Sequence, residues 1–108
     1  MTTNKNWGTN TLIYSDHNIE VHRACINKNG TSSKHYHEHK YNLFYLESGY
    51  LIVKIWENNS DYKEVFLHEG DRLVVQPKKW HKFLAIEPCS LIEIYYTSIS
   101  LNDIIREK

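Results

Sequence analysis

The chain has 108 residues, of which 41% are hydrophobic and 24% are charged, and its formal net charge at pH 7 is zero. This length and balance fit one globular domain that buries a single core. A net charge of zero argues against nucleic acid or an anionic membrane as the main partner, since both need a basic surface. No run of residues approaches the roughly 20 apolar positions of a membrane-spanning helix.

The middle of the chain consists of short apolar segments separated by polar turns. Seven segments rich in β-branched and aromatic residues are predicted strands, namely 19–27, 43–46, 51–56, 62–67, 73–76, 81–86 and 91–97. Glycine, asparagine and proline lie between them, as in turns and hairpins. Seven or eight short strands spaced by about ten residues predict an all-β sandwich or barrel.

The two ends of the chain differ from this middle region. Residues 1–16 are too polar to form a core strand alone and contain no apolar signal-peptide region, so we expect a cytoplasmic protein. The tail 100–108 begins with Ser-Leu-Asn-Asp, a capping-box pattern that predicts a short helical turn. We therefore expect one domain over 1–108, with its barrel or sandwich over 17–99.

Two cysteines, Cys25 and Cys89, lie far apart in the sequence and do not form a Cys-x-x-Cys pair. In a cytosolic protein, cysteines of this kind are reduced and pack as small hydrophobic residues. We expect both to be buried and free.

Histidine is the informative residue type, because three of the seven histidines fall within five positions. His35 and His37 are separated by one residue, so on a strand both side chains point to the same face. A third histidine from another strand could complete a site for one metal ion. Imidazole suits Zn, Fe and Ni, and an added amide or carboxylate oxygen would also admit Mn. His17, His22 and His68 are most simply surface or turn residues.

Two motifs make the chain resemble the cupin superfamily of small jelly-roll barrels. The first motif, a glycine, His-x-His, an acidic position and a glycine, is matched by Gly30, His35, His37, Asn42 and Gly49. The second motif starts at Gly70 and ends at His81, with Lys78 where glycine is usual. The resemblance implies a double-stranded β-helix that holds one divalent metal ion per chain, Zn, Mn, Fe or Ni, between the two motifs, with His81 as the third histidine.

Within this superfamily the chain is most similar to the type II mannose-6-phosphate isomerase domain, which also forms the C-terminal part of isomerase/mannose-1-phosphate guanylyltransferases. The shared features are the opening Trp7-Gly8 and the segments 33–40, 91–94 and 102–106. The resemblance implies a sugar or sugar-phosphate substrate. It also implies a homodimer, in which residues 1–16 are the arm that joins the partner's sheet.

Two positions depart from this pattern. Asn42 stands where the isomerase domain has a metal-binding glutamate, and Lys40 stands where it has arginine. The amide oxygen of Asn42 could be a fourth metal ligand, or Asn42 could hydrogen-bond a ligating histidine. Three histidines without a carboxylate would also resemble the iron sites of some cupin dioxygenases.

Three functions follow from these residues. In a metal-dependent isomerase, Glu93 would move the substrate proton, Lys40, Lys78 or Lys79 would hold an anionic end, and Trp80 could stack on a sugar face. The alternation of residues does not decide whether Glu93 faces the interior, because both faces of its segment are apolar. The alternatives are a three-histidine Fe(II) dioxygenase and a non-catalytic sugar-binding module, since one fold hosts many activities.

Overall fold

The computed structural model describes residues 1–97 and 105–107. The strands in this part of the chain are β1 (Thr2–Lys5), β2 (Gly8–Asp16), β3 (Ile19–Ile26), β4 (Tyr41–Ser48), β5 (Leu51–Trp56), β6 (Tyr62–Leu67), β7 (Arg72–Val75), β8 (His81–Ala85) and β9 (Cys89–Tyr96). A six-stranded sheet has the order β1-β2-β3-β9-β4-β7 and a three-stranded sheet the order β6-β5-β8, with all pairs antiparallel. The residues described contain no helix long and apolar enough to cross a membrane.

The core lies between the two sheets, because each contributes one apolar face. Side chains at alternate positions of β4, β8 and β9 are buried, as the period of a strand requires. The core cluster contains Ala24, Ile26, Phe44, Leu46, Leu51, Val53, Ile55, Leu67, Val75, Phe83, Ala85, Cys89 and Leu91. Burial of these side chains supplies the main stabilising free energy of the fold.

One segment between β3 and β4 closes the gap between the sheets. It pairs with β8 through two isolated bridges, Thr31 with Leu84 and His35 with His81. The Thr31 hydroxyl also donates to the carbonyl of Phe83 at 2.8 Å. This segment therefore attaches the six-stranded sheet to the three-stranded sheet, and it contains both histidines of the His-x-His motif.

The predicted strands are confirmed, with ends that differ by at most two residues from the observed ones. Two strands were not predicted. Residues 1–16 form β1 and β2, which pair with each other and with β3 of the same chain. The predicted boundary between residues 1–16 and a barrel over 17–99 stays a prediction. The predicted role of residues 1–16 as an arm in a homodimer also stays a prediction. The helical turn expected in 100–108 lies outside the described residues, apart from 105–107, which have no regular secondary structure.

The cysteine prediction was correct for Cys89 and wrong for Cys25. Both are free, but Cys25 is exposed. The reason is the alternation of β3, in which Ala24 and Ile26 face the core and the residue between them faces outward.

Candidate metal centre

Three imidazoles meet at one edge of the interior. His35 and His37 lie in the segment between β3 and β4, and His81 is the first residue of β8. The backbones of His35 and His81 exchange two hydrogen bonds, of 3.0 and 2.8 Å. One ring nitrogen from each of the three histidines lies within 4.8 Å of the others. The structure therefore brings together the three histidines predicted as a metal site.

Hydrogen bonds fix the tautomer of two rings. Nδ1 of His81 lies 2.8 Å from the carbonyl oxygen of Lys79, and Nδ1 of His35 lies 2.8 Å from that of Ser33. A carbonyl only accepts, so each Nδ1 carries a proton, and in the neutral form of such a ring Nε2 keeps its lone pair. Histidines that bind a metal through one ring nitrogen commonly donate such a hydrogen bond from the other nitrogen.

The interior atoms of this cluster lack partners. Nε2 of His37, Nε2 of His81 and Oδ1 of Asn42 are buried without a hydrogen bond. Unpaired buried polar atoms are costly. Burial lowers the pKa of His37, and it lowers the pKa of His81 to about 4, so both rings are neutral at pH 7. Neutral imidazoles with free lone pairs fit Zn, Fe or Ni, and the amide oxygen fits Mn as well.

Asn42 and Glu93 form a buried polar pair beside the histidines. The Asn42 side chain donates from Nδ2 to Oε2 of Glu93 at 3.2 Å, and the Tyr95 hydroxyl donates to the same oxygen at 2.9 Å. Burial raises the pKa of the Glu93 carboxyl, partly offset by these two hydrogen bonds. The sequence left the face of Glu93 undecided, and the structure directs it inward.

The alternative role of Asn42, a hydrogen bond to a ligating histidine, does not occur among the described residues, because its amide nitrogen binds Glu93 instead. Its Oδ1 is the atom left for a cation. Asn42 as a fourth ligand remains a prediction, and it would add no negative charge.

A cavity of about 220 Å³ adjoins the cluster. A cavity of this size suits a small polar ligand. The residues that line it are Lys5, Trp7, Asn10, His22, Ser32, Ser33, His35, Phe44, Phe83, Glu93 and Tyr95. The histidine cluster, through His35, and the Glu93 carboxyl thus both border this cavity.

None of the four predicted substrate contacts is among the residues that line this cavity. Lys40 pairs with Glu20 at 3.0 Å, and Lys79 pairs with Glu57 at 3.3 Å. The Trp80 ring is partly exposed on the surface, with its centroid 4.6 Å from that of Tyr36.

Lys78 is exposed, with a φ of 68° that favours glycine, which explains why glycine is usual at this position of the motif. Its backbone N–H donates to the carbonyl of His37 at 2.7 Å. Lys78 therefore supports the His-x-His segment through its backbone.

The sequence analysis did not predict that the N-terminal strands form part of the cavity wall. Lys5, Trp7 and Asn10 line the cavity from the β1–β2 hairpin. The available signal was Trp7-Gly8: a Cβ at Gly8 would lie 1.9 Å from the Cys25 carbonyl oxygen, so only glycine permits this approach. The Trp7 ring packs edge-on against Phe83 at 5.3 Å.

His22 was wrongly assigned to the surface. Its side chain is 15% exposed and lines the cavity. Its ring nitrogens bind Asn10 at 2.9 Å and Glu20 at 3.0 Å. The alternation of β3 explains this position, since His22 shares the inward face with Ala24 and Ile26.

Comparisons with known proteins agree with this architecture. Residues 22–95 match the family model described as Cupin domain. No curated protein sequence matches the chain significantly.

Solved structures resemble the chain at low sequence identity. KdgF from Halomonas sp. has a TM-score of 0.76 and 16% identity, over 88% of this chain and 84% of that one. An RmlC-like cupin from Shewanella frigidimarina has a TM-score of 0.78 and 18% identity, over 91% and 84%. A variant oxalate decarboxylase from Bacillus subtilis has a TM-score of 0.80 and 16% identity, over 94% of this chain and 29% of that one. These likenesses confirm the predicted jelly-roll fold.

Proposed function

The chain belongs to the cupin domain family, and from this premise we propose that it is a metal-dependent isomerase of a small sugar or sugar phosphate. The observation that supports this most is the position of Glu93, a buried carboxyl that faces the same cavity as His35. Aldose–ketose conversion requires a group that removes a proton from one carbon and returns it to the next.

His35, His37 and His81 would hold the metal ion, with Asn42 Oδ1 as the fourth ligand. A divalent ion bound there would polarise the carbonyl and the adjacent hydroxyl oxygen of the substrate as a Lewis acid. The donor set is neutral, so the ion keeps its full charge for this purpose.

The protein's own residues would handle the proton. The Glu93 carboxylate would take the proton from the carbon beside the carbonyl and return it to the former carbonyl carbon, while the proton of the adjacent hydroxyl passes to the former carbonyl oxygen, so that atoms and charge balance over the cycle. The Tyr95 hydroxyl and the Asn42 amide bind one carboxylate oxygen of Glu93, Oε2. These hydrogen bonds hold the carboxyl in one orientation and leave Oε1 for the proton transfer.

The mixed polar and apolar wall of the cavity fits this chemistry. Phe44, Phe83 and Trp7 form apolar parts of the wall, while serine, asparagine and histidine side chains supply polar parts. Such mixed walls orient a polar ligand.

The test uses a hexose phosphate that carries deuterium at C2. Aldose–ketose conversion and loss of deuterium to water are followed by NMR for the wild type, Glu93→Gln and the matched control Glu64→Gln on exposed β6. We expect Glu93→Gln to lower the rate by about 10²–10⁴-fold, with unchanged metal content, and the control to match the wild type. Equal rates in all three proteins would contradict the proposal.

The alternatives give different results in the same experiment. Oxygen consumption by the iron-loaded protein, without isomerisation, would favour the dioxygenase. Binding of a sugar without turnover by any metal form would favour the binding module. Either result would replace the isomerase proposal.

A further inference from the structure

Lys5 occupies a distinctive place in the cavity wall. It is the last residue of β1 and pairs with Gly8 across a tight hairpin whose turn is Asn6–Trp7. Of the described residues that line the cavity, Lys5 is the single lysine or arginine. No carboxylate in the described part of the chain lies within 4.0 Å of its ammonium group.

The lysines that the sequence suggested for an anionic group are engaged or distant. Lys40 and Lys79 form ion pairs with Glu20 and Glu57. A paired lysine must break its ion pair before it binds a ligand anion, which costs free energy. Among the described residues, Lys5 has no ion pair to break. The cation best placed for the ligand is therefore the one on the N-terminal hairpin.

The hairpin is fixed by its packing, so the position of Lys5 is built into the fold. The Asn27 backbone N–H donates to the Trp7 carbonyl at 2.8 Å. Gly8 allows the hairpin to lie directly on the Cys25 backbone, and the Trp7 ring is anchored on Phe83. The Lys5 side chain itself is exposed, so its replacement leaves this packing intact.

The charge of the site also favours an anion. Three imidazoles and the Asn42 amide bring no negative charge to a dication, and Glu93 is the one acidic side chain among the described residues that line the cavity. With a divalent ion bound, the ion and Lys5 together outweigh that single carboxyl. An anionic ligand would neutralise the excess.

We infer that the cavity takes a small hydroxylated ligand with an anionic group, a phosphate or a carboxylate, and that Lys5 binds this group. The inference rests on the proposed function in that it takes the cavity as the substrate site. It assigns the charge recognition to the hairpin of β1 and β2, which the metal site does not use.

Three probes that share one sugar ring test this inference: D-mannose, D-mannose 6-phosphate and D-mannuronate. Their dissociation constants are measured by calorimetry at fixed ionic strength on the zinc-loaded full chain. The proteins are the wild type, Lys5→Gln, Lys5→Arg and the control Lys28→Gln. Lys28 is an exposed lysine of the turn after β3, away from the cavity lining.

We expect the wild type to bind at least one anionic probe about tenfold or more tightly than D-mannose. Lys5→Gln should remove this preference, while Lys5→Arg and Lys28→Gln keep it. The phosphate and the carboxylate are distinguished by which probe shows the preference. An equal preference in Lys5→Gln, equal binding of all three probes by the wild type, or no binding of any probe would overturn the inference.

This result is separable from the isomerase assay. A Lys5-dependent preference without aldose–ketose conversion would keep the inference and overturn the proposed reaction. Conversion that is lost in Glu93→Gln but unaffected by Lys5→Gln, in rate and in KM, would keep the reaction and overturn the role of Lys5.

Discussion

Strands β4, β8 and β9 each have an inward face that is polar at one end of the strand and apolar at the other. Alternate positions read Asn42, Phe44, Leu46 along β4, His81, Phe83, Ala85 along β8, and Glu93, Leu91, Cys89 along β9, and all nine are buried. Register places Glu93 opposite Phe44, and Leu91 opposite Leu46. On these strands the core and the site residues Asn42, His81 and Glu93 thus share one backbone framework and differ in side-chain chemistry. His35 and His37 reach the site from the segment between β3 and β4.

This difference has energetic consequences. The apolar end gains free energy by removing carbon atoms from water. The polar end holds two unpaired ring nitrogens, an unpaired amide oxygen and a carboxyl, which are groups that cost free energy when buried. The apolar end therefore stabilises the fold, and under the proposed function the polar end binds the metal ion and the ligand. Substitutions at the apolar end should therefore mainly change stability, and substitutions at the polar end should mainly change metal binding or activity.

The largest expected effect is at the apolar end. Leu91→Ala, two residues from Glu93 on the same face of β9, should lower the free energy of unfolding by about 2–5 kcal/mol, because it leaves a cavity in the core. Denaturant unfolding of the metal-free protein measures the change. Metal binding by the folded fraction should be unchanged. A loss of metal affinity at full stability would contradict the division between the two ends.

Asn42→Glu should change stability by an intermediate amount. It should destabilise the metal-free protein and favour the metal-bound protein. A second carboxyl beside Glu93 lowers the stability of the metal-free protein by about 1–3 kcal/mol, since two like charges share a buried site. The same carboxyl should raise the affinity for Mn or Zn by about 10–100-fold, and raise isomerase activity with it. Calorimetric metal titration and thermal unfolding, each with and without metal, measure both changes. No change in affinity or activity would count against a metal site that uses position 42.

Glu93→Gln should change stability by less than Leu91→Ala or Asn42→Glu. It removes a buried charge that has no cation within 4.0 Å among the described residues, and it keeps an oxygen that accepts from Asn42 and Tyr95. We expect the metal-free protein to become more stable by about 1 kcal/mol. Glu64→Gln, an exposed control, should change stability by less than about 0.5 kcal/mol. A less stable Glu93→Gln protein would contradict the idea that the polar end is kept at a cost.

Local rules predicted only part of the histidine cluster. The His-x-His spacing favours two rings on one face of an extended segment, whereas His81 was identified through the resemblance to the second cupin motif. The all-β fold followed from short alternating segments between turn residues. These features depend on strand period and turn chemistry, which are visible in a single chain.

The rest depended on long-range pairing. β1 is exposed throughout and β2 is at most half-buried, so the hairpin has little apolar periodicity to reveal it, and its position comes from backbone pairing with β3. The orientation of Glu93 was hidden because Ile92 and Ile94 on the opposite face are also partly covered. The ion pairs of Lys40 and Lys79 form between residues about twenty positions apart. None of these contacts leaves a local pattern.

The most direct test of the central claim is the metal content of the protein, purified without a histidine tag and measured by elemental analysis beside His37→Ala. We predict about one divalent metal ion per chain in the wild type and none in His37→Ala, with both proteins folded by circular dichroism. Iron would direct attention to oxygen chemistry, and zinc, manganese or nickel to isomerisation. A wild-type protein without metal, even after reconstitution with each of these ions, would contradict the assignment of His35, His37 and His81 as a metal centre.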